Sequence, residues 1–297
     1  MRLLETIADL RTYRGGLTGS VGVVMTMGYL HAGHLSLVEA ARRENDHVLA
    51  TIFVNPTQFG PNDDLSAYPR DLPRDFAMLQ EAGVEAVFTP TPAMMYPDGY
   101  QTYITVDTVS QGKEGAMRPG HFRGVATVVA KLFHLIQPHR SYFGQKDAQQ
   151  VAVIRRMVHD LNFPLEVRVG PVVREADGLA MSSRNVYLTP EERAAAPVLY
   201  RALEAAANAY AAGERDPGTL QGIAEHSILN EPRAALDYVS VADAATLAEQ
   251  TIATDAPLLI SLAAKIGKPR LLDNMLLPLE LNTLEGATST LGAVDPL

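Results

Sequence analysis

The chain has 297 residues, 47% of them hydrophobic and 20% charged, the balance of a soluble globular protein long enough for two domains. It contains no cysteine, which excludes disulfides, thiolate metal sites and cysteine nucleophiles. The formal net charge of −9 argues against a nucleic-acid partner, and any anionic substrate would need a local cationic cluster working against the overall field.

Met1 to Arg14 intersperse Arg2, Glu5, Asp9, Arg11 and Arg14 with apolar residues and read as a short amphipathic helix. No continuous apolar stretch follows, so no signal peptide is expected. No uncharged apolar run reaches the roughly 18 residues of a membrane span, so the expectation is a cytoplasmic protein without a membrane partner. Ser20 to Thr26 is short, apolar and β-branched, a buried strand, and a helix follows over about Gly33 to Arg43. His47 to Val54 predicts a second strand, Asp71 to Ala82 a helix and Ala86 to Thr89 a third strand. Gly124 to Gln137 predicts a helix stopped by Pro138, then come a brief strand at Ser141 to Phe143, a helix over Gln149 to Leu161 and a strand over Leu165 to Val169. Strands alternating with helices imply an α/β fold, a parallel sheet covered on both faces.

The pattern changes after about Arg174. Thr189-Pro190-Glu191-Glu192 is a capping box, and a long Ala-rich helix is expected from it to Ala212. A turn-rich break at Gly213 to Gly218 precedes strand-like runs at Leu236 to Val241, Leu258 to Ala263 and Arg270 to Leu272. These imply a smaller α+β domain, with the division set at residues 1–176 and 177–297. From Leu276 the tail has no clear period and is expected to be poorly ordered.

The chemistry concentrates in loops at predicted strand ends, where ligands of parallel α/β sheets bind. The first is Met27-Gly28-Tyr29-Leu30-His31-Ala32-Gly33-His34. Gly28 and Gly33 permit close backbone approach. The following helix turns its free N–H groups and positive dipole end toward the same spot, which suits phosphate, and His31 and His34 add donors. Surface or metal-binding histidines are the alternative, but the pair is spaced i, i+3 and has no evident third ligand, so no protein-bound metal is expected. The H-x-G-H pattern resembles the HIGH signature of the nucleotidylyltransferase superfamily, whose members share a Rossmann-like fold and attack at the α-phosphorus of ATP.

In Phe53-Val54-Asn55-Pro56-Thr57-Gln58-Phe59-Gly60, Asn55 and Gln58 can hydrogen-bond a polar substrate, although Asn-Pro is also an ordinary turn opener. Phe143-Gly144-Gln145-Lys146-Asp147-Ala148-Gln149-Gln150 places Lys146 as a mobile charge for phosphate. Asp147 is then a helix cap, a ribose contact or a contact to a magnesium-bound water, and the bland reading of Lys146 is an exposed lysine. Met181-Ser182-Ser183-Arg184, at the domain junction, suits a phosphate clamp with forked donors from Arg184, or an N-cap cluster at a linker; its position resembles the superfamily's KMSKS loop. Arg118-Pro119-Gly120-His121-Phe122-Arg123-Gly124 is a further basic turn, for substrate, a subunit interface or structure alone.

Over roughly residues 20 to 195, M-G-x-L-H-x-G-H, F-V-N-P-x-Q-F, R-P-G-H-F-R-G-V, F-G-x-K-D-x-Q-Q and S-S-R-N occur in the order that resembles the pantothenate synthetase family. The family shows Pro-Thr-Met-Gly where this chain has Met25-Thr26-Met27-Gly28. The resemblance implies a Rossmann-like sheet and ATP-dependent ligation of pantoate and β-alanine through a pantoyl-adenylate, with AMP and pyrophosphate released. It implies Mg²⁺, a homodimer and a C-terminal domain acting as a lid. Met27 to His34, Gly144 to Asp147, Val173 and Met181 to Arg184 would contact ATP. His31, His34, Lys146 and Arg184 would stabilise charge, and Gln58, Gln150 and Asn55 would line the pantoate site. The alternatives are another H-x-G-H nucleotidylyltransferase with a phosphorylated acceptor, or a non-catalytic nucleotide sensor.

Overall fold

A computed structural model describes residues 1–61, 63–281 and 283–284. The chain forms two compact units: Met1–Gly144 with Gln149–Gly170, and Gln145–Ala148 with the chain from Pro171 onward.

The first unit contains β1 (Arg2–Leu4), α1 (Ile7–Gly15), β2 (Val21–Thr26), α2 (Ala32–Glu44), β3 (His47–Ile52), α3 (Leu72–Glu81), β4 (Ala86–Phe88), α4 (Pro92–Met95), α5 (Lys113–Met117), α6 (His121–Ile136), β5 (Arg140–Gly144), most of α7 (Ala148–Asp160) and β6 (Glu166–Gly170). Its sheet has six strands in the order β1-β4-β3-β2-β5-β6, every pairing parallel. Val23 and Val24 point to opposite faces of β2 and neither has exposed surface, so both faces of the sheet are covered, as expected of this α/β pattern. On one face Val24, Val48 and Ala50 pack with Leu37, Val38 and Ala41 of α2 and Leu79 of α3. Met25, where the family shows proline, is an ordinary ladder residue opposite Thr51.

The second unit contains α8 (Pro190–Ala195), α9 (Val198–Ala211), α10 (Pro217–Leu229), β7 (Ala234–Asp243), β8 (Leu258–Ile266) and β9 (Arg270–Leu277). The three strands form an antiparallel sheet, β7-β8-β9, that buries Val241, Ile260, Leu262 and Leu277 with Leu199, Leu203, Leu220 and Ile228 from α9 and α10. This is the smaller α+β element set that the sequence implied.

Four local expectations are corrected. The N-terminus is not helical throughout: Arg2–Leu4 pairs with β4 as an edge strand, and α1 begins after Thr6, whose side chain accepts Asp9 N–H. The charged spacing over Met1 to Arg14 masked that three-residue strand. The Ala-rich helix is two helices, because Pro197 lacks the N–H an uninterrupted helix would need. The Thr189–Glu192 capping box does form at the start of α8. Helix α10 is additional to the expected elements, although Asp216 at N-cap and Pro217 at N1 are a start signal. Finally, Leu276 and Leu277 belong to β9; the expectation for the tail beyond Leu284 lies outside the described residues.

Candidate active site

Strand β2 lies between β3 and β5, so the direction of winding reverses there, and the ends of β2 and β5 flank the crevice where such sheets bind ligands. At the end of β2 the chain makes a tight turn with Gly28 at φ +84° and Tyr29 at φ 51°. Thr26 Oγ1 accepts Gly28 N–H at 3.2 Å. The buried carboxylate of Asp75 on α3 accepts the N–H groups of Tyr29 and Leu30, each at 2.8 Å. Helix α2 then starts with a capping box built from histidines: Gly33 N–H donates to His31 Nδ1 at 3.2 Å, and His31 N–H donates to His34 Nδ1 at 3.3 Å. The two rings are 4.1 Å apart. Because each Nδ1 accepts, the hydrogen-bond network assigns the proton of each neutral ring to Nε2.

After β3, Asn55 caps a short 3₁₀ turn, Pro56–Gln58. Asn55 is 1% exposed and fully engaged. It donates to Gln58 Oε1 and Gly124 O, and accepts from Thr57 N–H, Thr57 Oγ1 and Tyr96 OH. The geometry therefore makes Asn55 the residue that orients Gln58. Among the described residues Gln58 Nε2 meets only a thioether, Met27 Sδ at 3.3 Å, a weak acceptor that a carboxylate or hydroxyl would replace with gain. The Gln58 carbonyl accepts His121 Nδ1 at 2.9 Å. Arg118 pairs with Asp63 at 2.8 Å. Burial pushes the Asp63 carboxyl up, but hydrogen bonds from Arg118 and Gly60 together hold it below its usual range.

The adjacent glutamines of α7 have divergent fates. Gln149 is buried and anchors the preceding loop, accepting Glu114 N–H and donating to the carbonyls of Val109 and Gln111. Gln150 is half-buried, and its amide makes no hydrogen bond among the described residues.

Gly144 closes β5, and a Cβ there would meet nothing within 4 Å, so the backbone is open to close approach. In the second unit, Lys146 is half-buried with Nζ 3.6 Å from Asp147 Oδ1. Gln145 is 2% exposed, with its amide engaged by Asn274 and Leu284. Met181 N–H donates to Val173 O at 2.9 Å, joining two of the expected ATP contacts. Ser182 caps the 3₁₀ turn Ser183–Tyr187 by accepting Arg184 N–H at 3.2 Å. Asn185 donates to Glu175 and to Ala180 O. The first unit thus brings together His31 with His34 and Asn55 with Gln58, and the second brings together Val173 with Met181 and Ser182 with Arg184.

Two supporting residues escaped sequence reasoning. Asp75 carried a signal, since it sits four residues before buried Leu79 on the inward face of α3. Asn274 carried none beyond being polar within an apolar strand.

Residues 2–276 match the family of pantoate–β-alanine ligases. The chain belongs to that family. It is 60% identical over 277 residues to a pantothenate synthetase of Roseiflexus sp. (strain RS-1), covering 93% of this chain and 99% of that relative. The crystal structure of pantothenate synthetase from Thermus thermophilus superposes with a TM-score of 0.88 at 50% identity, covering 93% of this chain and 99% of that one. The ligase from Francisella tularensis, described as complexed with beta-gamma ATP and β-alanine, has a TM-score of 0.76 at 35% identity over 93% and 97% of the two chains. The activity is ATP-dependent ligation of pantoate and β-alanine, and the alternatives of another acceptor or a non-catalytic sensor are set aside.

Proposed function

We propose that this chain forms a pantoyl-adenylate, which β-alanine then opens. A pantoate carboxylate oxygen attacks the α-phosphorus of ATP, and the bond to pyrophosphate breaks. The neutral amine then attacks the acyl carbon, AMP leaves and the amine gives up its proton. A carboxylate needs no strong base to attack phosphorus. It needs two anions held in line and their charge compensated. His31 and His34 at the N-terminus of α2, with Lys146 and Arg184, supply that compensation. The observation that carries this reading is the histidine capping box, which leaves Nε2 of each neutral ring as the protonated nitrogen.

Gln58 and Gln150 hold pantoate as neutral amides, able to pair with carboxylate and hydroxyl without attracting a second phosphate. Met27 to His34, Gly144 to Asp147, Val173 and Met181 to Arg184 take ATP. Among the described residues no cluster of three His, Asp or Glu could cage a metal. Mg²⁺ would arrive on the ATP phosphates, with Asp147 meeting its water shell, and would supply charge neutralisation there. The domain after residue 176 serves as a lid that keeps water from the acyl-adenylate.

The working protein is a cytoplasmic homodimer. No described helix is long and apolar enough to cross a membrane. The test of the chemistry is exchange of labelled pyrophosphate into ATP without β-alanine. Exchange should require pantoate and Mg²⁺. Release of ADP, or exchange that requires β-alanine, overturns the adenylate route.

A further inference from the structure

Lys146 stands on the short 3₁₀ turn Gln145–Asp147. That turn is gripped by one side chain of β9. Asn274 is 3% exposed, and its Nδ2 donates to the carbonyls of Gln145 at 3.0 Å and Lys146 at 2.8 Å. Its Oδ1 accepts Gln145 Nε2 at 3.0 Å. Both amide protons are engaged by main chain, which sets the amide's orientation. The Gln145 and Lys146 carbonyls belong to the two rigid peptide planes that flank the Lys146 Cα, so holding both sets the direction in which the side chain departs.

The clamp is itself braced. Asp273 Oδ1 accepts Asn274 N–H at 2.8 Å. Arg174 donates to both oxygens of Asp273, at 2.5 and 3.0 Å, and its guanidinium lies 4.4 Å from the Tyr200 ring. Along β9, Leu271, Met275 and Leu277 belong to the unit's apolar core, and Asn274 alternates to the other face. A buried asparagine adds little to an edge strand's own packing. All three of its side-chain bonds run to the turn that carries Lys146.

We propose that Asn274 is a positioning residue for Lys146, holding the turn so that the ammonium meets the nucleotide's polyphosphate. The proposal rests on the reading of Lys146 as a phosphate ligand. The test is a double-mutant cycle of Asn274→Ala and Lys146→Ala in the full chain, read by pantoate-dependent pyrophosphate exchange. Asn274→Asp, nearly isosteric but lacking both donors, stands in should the alanine variant not fold. The Asn274 variant should lose rate on the order of 10²-fold, the scale of a 1 Å misplacement, with the pantoate KM unchanged. In the Lys146→Ala background it should cost nothing further. Independent, multiplying losses, or near-normal exchange in the single Asn274 variant, would overturn the positioning role. Near-normal exchange in Lys146→Ala alone would instead overturn the reading of Lys146, and the inference with it.

Discussion

Asp75 Oδ1 accepts the backbone N–H of Leu30 at 2.8 Å from a carboxylate with no exposed surface. Its other oxygen takes Tyr29 N–H at 2.8 Å, so one buried side chain on α3 holds the turn that leads into His31. Asp75→Ala strands both donors, and each stranded group costs about 1–3 kcal/mol. The expected loss is about 2–6 kcal/mol of unfolding free energy, with exchange lowered because the histidines are no longer aimed. Denaturant unfolding and pyrophosphate exchange measure the two effects. Unchanged stability together with normal exchange would remove Asp75 from this role.

Gly28 leans on the same carboxylate. At φ +84° an added Cβ would lie 3.0 Å from Asp75 Oδ2 and 3.1 Å from Ile52 Cγ2. Gly28→Ala combines a left-handed backbone, at about 1–3 kcal/mol, with that crowding. It should be destabilised by at least about 1 kcal/mol and impaired in exchange. A thermal midpoint equal to the parent's would show that the turn relaxes freely.

The polar residues near the expected pantoate site divide by their partners. Gln58 Nε2 has only a sulfur acceptor and Gln150 makes no hydrogen bond among the described residues, whereas Asn55 and Gln149 are engaged by the protein. Gln58→Ala and Gln150→Ala should raise the pantoate KM while leaving the ATP KM near the parent's; Gln150→Ala should also leave stability unchanged, whereas Gln58→Ala strands the Asn55 amide proton it accepts and should lose some. Asn55→Ala and Gln149→Ala should lower stability by about 1–3 kcal/mol, the cost of stranded buried partners. A rise in the ATP KM alone for both glutamine variants would refute the pantoate assignment.

Much of this was legible because the α/β alternation and the strand-end loops leave local marks: β-branched runs, glycine turns and caps. The helix start at H-x-G-H could be read from the sequence alone. What stayed hidden was long-range. Asn55 and Gln58 look alike in sequence, and Gly124 O and Tyr96 OH, many residues away, make Asn55 a hub, while Gln58 Nε2 meets the sulfur of Met27. Gln149 and Gln150 are neighbours that helical rotation sends to different surroundings. Asn274 lies 128 residues from Lys146, a separation no local pattern encodes.

The opposite end of the sheet carries a pH dependence separate from catalysis. His47, at the start of β3, contacts Glu85 at 3.0 Å through Nδ1 and Thr18 O at 2.9 Å through Nε2. Its pKa is raised above the ordinary value, chiefly by the Glu85 hydrogen bond, with Thr18 and the nearby charge of Asp46 adding and burial opposing. Tyr13 also reaches Glu85, at 3.4 Å, but its phenol is pushed upward, first by burial, and stays neutral at physiological pH. A raised folded-state pKa contributes stability that is complete below the unfolded value near 6.5 and is lost as pH rises through the folded one. Glu85→Gln should therefore destabilise the chain at pH 5.5 and change little at pH 8.5. Equal destabilisation at both pH values, by denaturant midpoint, would show that the His47 charge plays no part.

The proposed function gives His34 two jobs on two nitrogens, and they can be separated. Nδ1 caps α2 by accepting His31 N–H at 3.3 Å, while Nε2 carries the proton of the neutral ring. Asparagine places its oxygen near the position of Nδ1, and glutamine places its amide nitrogen near the position of Nε2. His34→Asn should therefore keep the cap and the stability but lose the phosphate donor, lowering exchange by on the order of 10²-fold, the scale of one lost transition-state donor. His34→Gln should retain a larger share of exchange and keep most of the stability, because a glutamine at this third helical position can also accept the His31 N–H. Helical content and unfolding free energy report the first property, and pantoate-dependent pyrophosphate exchange reports the second. If the asparagine variant turned over normally, the donor at Nε2 would have no role in the chemistry, and the histidine pair would serve only to start the helix.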